Sequence, residues 1–312
     1  MGDVLLITLP FFAVCGLGFL AIRSGLLGPE AVGNLNIFAF YFAMPALVIG
    51  ALARQDIASI LDARIFVSWL IAGVGVFAIG YLAIRLVRPQ AAPAERAIAG
   101  QAASVGNIGF LGLPLGIAAF GDGVMGPMVA ALLVDLVVLI PLSIGLLESA
   151  RRGGGAAGAV RALRGVVMNP FIVAIVSGVA LSLTGIGLPA WLERFTDFLG
   201  SAASPAALFA LGASLAGRTE VSTFAPAALL TTLKLLVHPA LLLGLLWMTG
   251  APAGPAAMAV LIAAMPVAGN VFVIAERYGA LVRPVSTAVL VSTVIAVASV
   301  SLVLAWALQQ QG

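Results

Sequence analysis

One property limits this chain more than any other: apolar runs of about 20 residues recur from end to end, each enough to span about 30 Å of hydrocarbon. Of 312 residues, 62% are hydrophobic and only 9% charged. No single water-soluble core hides that much apolar surface and still leaves a polar shell. The composition therefore specifies an all-α integral membrane protein. Ten spans can be placed, at 4–22, 34–53, 65–87, 95–120, 124–148, 169–184, 198–217, 225–248, 254–278 and 285–308, the fourth and ninth of them broken. The first follows Asp3 with no basic leader region and is read as a retained helix. Cys15 lies within it, and a lone cysteine in an apolar run reads as a small buried hydrophobe.

The net charge of +3 does not point to a nucleic-acid partner, because the basic residues sit between spans. They read as topology signals. Loops after the odd-numbered spans carry eleven arginines (Arg23, Arg85, Arg88, Arg96, Arg151, Arg152, Arg161, Arg164, Arg218, Arg277 and Arg283). Loops on the other side carry Arg54, Arg64 and Arg194. By the positive-inside rule, both termini face away from the cytoplasm. The expected location is the cytoplasmic (inner) membrane, crossed many times, with lipid as the surrounding partner. The connector 149–168 is rich in Gly and Ala and reads as a flexible cytoplasmic hinge.

Two halves echo each other across that connector. Pro10, Pro29 and Pro45 recur as Pro170, Pro189 and Pro205, and Pro10-Phe11 and Pro45-Ala46 repeat with their following residues. Five spans per half turn the second half upside down relative to the first. Inverted repeats of this kind build secondary transporters, with the substrate near the midplane at the repeat interface. Between Trp191 and Leu199 a short amphipathic segment puts Trp191, Phe195, Phe198 and Leu199 on one face and Glu193, Arg194 and Asp197 on the other. It is expected to lie along the membrane interface.

Each half carries one interrupted span. The first runs Gly106-Asn107-Ile108-Gly109-Phe110-Leu111-Gly112-Leu113-Pro114, and the second Ala264-Met265-Pro266-Val267-Ala268-Gly269-Asn270-Val271-Phe272. A glycine weakens a helix by about 1 kcal/mol and an interior proline by roughly 3 kcal/mol. Within a bilayer such breaks persist where protein or a watery cavity satisfies the freed backbone groups. Matched breaks in two halves point to a binding site. Where the interrupted helices cross, half-helix N-termini suit an anion such as a carboxylate. Gly106, Asn107, Gly109, Pro114, Pro266, Gly269 and Asn270 are the candidates for holding it, with Gln101 two turns before the first break. The alternative is that Gly and Pro kink two helices for packing and that each Asn caps a half-helix.

Asp135 and Lys234 stand deep within spans, where an unpaired charge costs at least about 2.5–3.5 kcal/mol. One reading gives them a role in proton coupling or charge compensation. The other makes them a permanent ion pair that joins helices. His238, one turn beyond Lys234, is either a relay or a packing residue. No nucleophile-base arrangement, paired-carboxylate site or metal-ligand cluster stands out, and no glycine-rich stretch carries the trailing Lys-Ser/Thr of a phosphate loop. Neither an enzyme, a cofactor nor a metal site is expected.

At its two breaks the chain resembles the auxin efflux carrier family, which includes bacterial permeases for malonate-like acids. The motifs Asn107-Ile108-Gly109-Phe110-Leu111-Gly112-Leu113-Pro114-Leu115 and Ala264-Met265-Pro266 through Asn270, continuing to Arg277-Tyr278-Gly279, carry the likeness. The resemblance implies an elevator-like carrier and a homodimer, with the crossing of helices 4 and 9 seen in the bile acid sodium symporter/NhaA kind of fold. It further implies scaffold helices in 1–60 and 169–220 and transport-domain helices in 61–148 and 221–312. The chain lacks the long hydrophilic central loop of the plant carriers. It also lacks the acidic residue that the sodium-coupled bile acid transporters would place near Pro266–Asn270, which favours proton over sodium coupling. The leading expectation is a secondary carrier for a small organic carboxylate, with a sodium-coupled symporter as the alternative. An anion channel and a ligand-sensing membrane protein are the rivals from other classes.

Overall fold

Proline sets where the helices of this chain change pitch. A computed structural model describes residues 2–28, 30–54, 56, 61–152, 167–185, 187–214, 216 and 224–310. Within it, four segments widen from the α to the π pattern: Ala39–Ala43, Ile108–Gly112, Val134–Leu139 and Leu233–Val237. Two residues after each stands a proline, namely Pro45, Pro114, Pro141 and Pro239. Proline has no N–H for the carbonyl one turn back and its ring crowds that carbonyl, so the turn before it opens. Asp135 and Lys234 each lie in one of these widened turns.

Among the described residues the chain is helical and forms no strand. Among the described residues, five helices are long and apolar enough to cross a membrane: Glu30–Ala53, Ala63–Val87, Ile108–Ala150, Phe224–Met248 and Val282–Gln309. Shorter apolar helices cover Leu9–Arg23, Pro170–Thr184 and Ala253–Ala263. The expected span 254–278 is divided, into Ala253–Ala263 and Gly269–Tyr278. Most of the connector 149–168, with Arg161 and Arg164, and also Pro29 and Arg218, lie outside the described residues.

The chain divides into two units. The first comprises Met1–Asp62, Gly109–Val129 and Val167–Gly217, and the second Ala63–Ile108, Ala130–Val166 and Arg218–Gly312. In the first unit, helix α1 (Gly2–Arg23) packs along α2 (Ala203–Ser214). Gly212 permits that approach, since a Cβ there would collide with the carbonyl of Cys15. Small residues let membrane helices meet backbone to backbone, where dispersion and not hydrophobicity holds them. Cys15 itself is buried. Helix α3 (Ala190–Ser201) contains the amphipathic segment and exposes Trp191 and Phe198 at 70% and 83%. Its polar face meets Arg54, whose Nη1 lies 2.9 Å from Asp197 Oδ1 and 3.5 Å from Glu193 Oε1.

The second unit pairs α4 (Ala63–Val87) with α5 (Pro93–Ser104), and places α6 (Phe224–Met248) and α7 (Ala253–Ala263) against α8 (Val282–Gln309). Val76, Ala103 and Leu233 form part of its buried core. Tyr278 Oη donates to Glu148 Oε1 at 2.8 Å, tying two helix ends of this unit together.

Candidate functional site

The first interruption is narrower than the glycines and proline suggest. Helix α5 ends at Ser104, only Val105, Gly106 and Asn107 stand outside a helix, and a π turn begins at Ile108. Pro114 does not end the helical run: the turn before it, Ile108–Gly112, widens to the π pattern and the helix continues through Leu113–Phe120. The second interruption separates α7, which ends at Ala263, from α9 (Gly269–Tyr278).

These two interruptions pair with each other. Asn107 N–H donates to Pro266 C=O at 2.8 Å, Ala268 N–H donates to Val105 C=O at 3.3 Å, and Gly106 bridges Val267 in antiparallel fashion. Val267 N–H turns to Ser292 Oγ at 3.1 Å. Backbone groups freed by the breaks are thus met by the partner break or by a neighbouring helix, as a low-dielectric setting demands.

Four side chains gather around this crossing. Lys234 Nζ donates to the carbonyl of Ala263, the last residue of α7, at 2.5 Å. A cation at a helix C-terminus is favoured by the helix dipole. The same Nζ lies 3.1 Å from His238 Nδ1. With the ammonium as donor, Nδ1 accepts and the imidazole proton resides on Nε2, which has no partner. His238 also meets the Trp69 ring edge to face at a centroid distance of 5.6 Å. Trp69 Nε1 in turn reaches Asp135 Oδ1 at 3.4 Å, and the backbone of Gly106 approaches the same carboxylate. Asp135 Oδ2 has no hydrogen-bond partner.

Asp135 and Lys234 therefore do not form the direct ion pair that was one of the two sequence readings. Gly106 stands against both, its backbone toward the Asp135 carboxylate and its Cα toward the Lys234 side chain. A Cβ on Gly106 would lie 2.9 Å from Lys234 Cε and 3.0 Å from Nζ. Glycine at this position makes room for the ammonium.

The remaining candidates divide. Asn107 is 3% exposed, and its Nδ2 has no partner. Asn270, on the first turn of α9, is exposed, and Gly269 beside it is half-buried. Gln101 is fully buried, its Oε1 accepting from Ser143 Oγ at 2.9 Å while Nε2 is unpartnered. Pro266 is buried and supplies the carbonyl that Asn107 uses. Gly109 and Pro114 belong to the first unit, where a Cβ on Gly109 would lie 2.8 Å from Phe171 Cζ. Trp69, Ser143, Ala263 and Ser292 contact the candidate residues or the break that holds them and were not singled out by the sequence. An indole and two hydroxyls inside apolar runs were the available signal for Trp69, Ser143 and Ser292. The Ala263 carbonyl left none.

A family model described as membrane transport protein matches residues 4–304. A Rhizobium meliloti (strain 1021) protein named "Putative malonate transporter" is 32% identical over 307 residues, covering 96% of this chain and 95% of the relative. An "Uncharacterized transporter" of Methanothermobacter thermautotrophicus is 30% identical over 289 residues, covering 92% of each. "Uncharacterized transporter YfdV" of Escherichia coli (strain K12) is 26% identical over 296 residues, covering 94% of this chain and 92% of the relative.

Proposed function

Since this chain belongs to the membrane transport protein family, the auxin efflux carrier family that its two motifs resemble, we propose that it is a secondary carrier for a small organic carboxylate. The observation that carries this reading is the pairing of Val105–Asn107 with Pro266–Ala268 beside a buried, unpartnered Asn107 carboxamide. The crossing presents two half-helix N-termini, which attract anions, and amide donors that orient a carboxylate. Malonate appears in the name of the Rhizobium relative, and a short dicarboxylate is of that chemical class.

In this reading Gly106, Asn107, Pro266, Gly269 and Asn270 line the substrate site, with Gln101 next to it. Gly109 and Pro114 position the helix that leaves the crossing. Asp135, Lys234 and His238 couple transport to protons: a proton taken by Asp135 or released by Lys234 changes the net charge beside the anion. Residues 1–60 and 169–220 form the scaffold, and residues 61–148 and 221–312 an elevator-like transport part. The grouping of 1–62 with 167–217, and of 63–108 with 218–312, supports this division, while 109–129 groups with the former. The carrier acts as a homodimer in the cytoplasmic membrane, with both termini outside.

Proteoliposomes loaded with one acid and challenged with labelled mono- and dicarboxylates test the proposal. Saturable exchange is expected, faster under an imposed pH gradient. Asp135→Asn is expected to remove the gradient dependence, and an unchanged dependence would take Asp135 out of the mechanism.

A further inference from the structure

Oxygens at the cut end of a membrane helix are natural ligands for a small hard cation, which takes carbonyls and carboxylates as its first coordination shell. This chain has such oxygens. Ala263 closes α7, so its carbonyl has no acceptor role inside that helix. Asp135, 3% exposed, keeps Oδ2 unpartnered, while its carboxylate meets Trp69 Nε1 through a long contact on Oδ1 and the backbone of Gly106. His238 Nδ1 adds a lone pair. Between them stands the fully buried ammonium of Lys234, bonded to the Ala263 carbonyl and to His238.

Lys234 meets the requirements of a coordinated ion rather than of an ion-pair partner. Its shortest contact is a helix-end carbonyl, not the carboxylate. The carboxylate lies beyond ion-pair distance, and glycine at 106 leaves space around Nζ. Asp135 and His238 are the titratable groups that face it. We propose that Lys234 is a tethered cation filling a monovalent-cation site. Removing its ammonium would leave the Ala263 carbonyl and the Asp135 carboxylate free to bind sodium or lithium. The inference deepens the carrier reading and rests on it in one respect, that aqueous ions reach the crossing.

The test is thermal unfolding of detergent-solubilised full-length protein in sodium, lithium or choline chloride at equal ionic strength. The parent is expected to unfold at the same temperature in all three salts. Lys234→Ala is expected to unfold lower in choline and to recover in sodium or lithium. At about ten times the dissociation constant the rise is roughly 2–4 °C. Adding Asp135→Asn to Lys234→Ala is expected to abolish the salt selectivity. Lys234→Gln, which keeps a donor for Ala263, is run beside it.

Folded Lys234→Ala and Lys234→Gln proteins with no cation-selective shift would overturn the proposal, as would a parent that shifts as much as the variants. So would a Lys234→Ala chain that fails to accumulate with sodium or lithium present throughout while the double variant accumulates. That outcome means that Asp135 needs the ammonium and that no free ion replaces it. The assay contains no carboxylate substrate. Its failure therefore leaves the transport reading standing, and failure to find a substrate leaves this result intact.

Discussion

The backbone N–H of Asn107 donates to the carbonyl of Pro266 at 2.8 Å, joining two interrupted helices from opposite halves of the chain. That bond is possible because neither residue continues a helix. Proline disfavours the α conformation of the residue before it, and glycine at 106 weakens the helix that Asn107 would extend. The Asn107 side chain is thereby left at the crossing with its Nδ2 unpartnered. In the proposed carrier, stability and binding make opposite demands on it.

Asn107→Ala is expected to leave thermal stability unchanged or slightly raised, because a buried donor without a partner costs about 1–3 kcal/mol. The same change is expected to weaken substrate affinity roughly 5- to 150-fold, the range that corresponds to losing one such hydrogen bond. Unfolding curves of parent and variant, with and without a transported carboxylate, measure both effects on one sample.

Gly106→Ala is expected to destabilise by about 1–3 kcal/mol, since its Cβ would press on Lys234 Cε and Nζ at 2.9 and 3.0 Å. Combining it with Lys234→Ala relieves that contact. The double variant is therefore expected to lose less than the sum of the two single changes, a coupling that a double-mutant cycle reads directly.

Trp69 has two separable roles, a ring against His238 and an N–H toward Asp135. Trp69→Phe keeps most of the packing and removes a 3.4 Å hydrogen bond, for an expected loss below about 1 kcal/mol. Trp69→Ala empties a fully buried site and is expected to cost about 3–5 kcal/mol. Chemical or thermal unfolding separates the two.

Arg54 serves as the contrast. Its ion pairs with Asp197 and Glu193 are part-exposed, so Arg54→Ala is expected to cost less than about 1 kcal/mol, an effect that fades with added salt. Carboxylate uptake in proteoliposomes is expected to match the parent.

Much of this arrangement was legible in the sequence because membrane burial makes polar and helix-breaking residues conspicuous. Asp135, Lys234 and His238 stood out against leucine and valine, and two Gly/Pro clusters marked two interruptions. What the residue types did not reveal was how far each break extends. Pro114 signals a stop in sequence but is absorbed by the widened turn Ile108–Gly112, so the break shrinks to Val105–Asn107. The widened turns that hold Asp135 and Lys234 follow from Pro141 and Pro239 two residues beyond them, a local rule visible only once the pitch is known. The matched asparagines also differ, with Asn107 buried and Asn270 exposed, because one lies within the extended pairing and the other on a helix turn after it. That Lys234 turns to the Ala263 carbonyl depends on where another helix ends, which no spacing within its own segment encodes.

Counterflow of labelled short mono- and dicarboxylates in proteoliposomes, comparing the parent with Asn107→Ala and Asn270→Ala of matched folding, tests the carrier site most directly. Saturable exchange by the parent, reduced by about tenfold or more in Asn107→Ala, is the predicted result. Two folded variants that exchange every acid as fast as the parent would contradict a carboxylate site at the crossing.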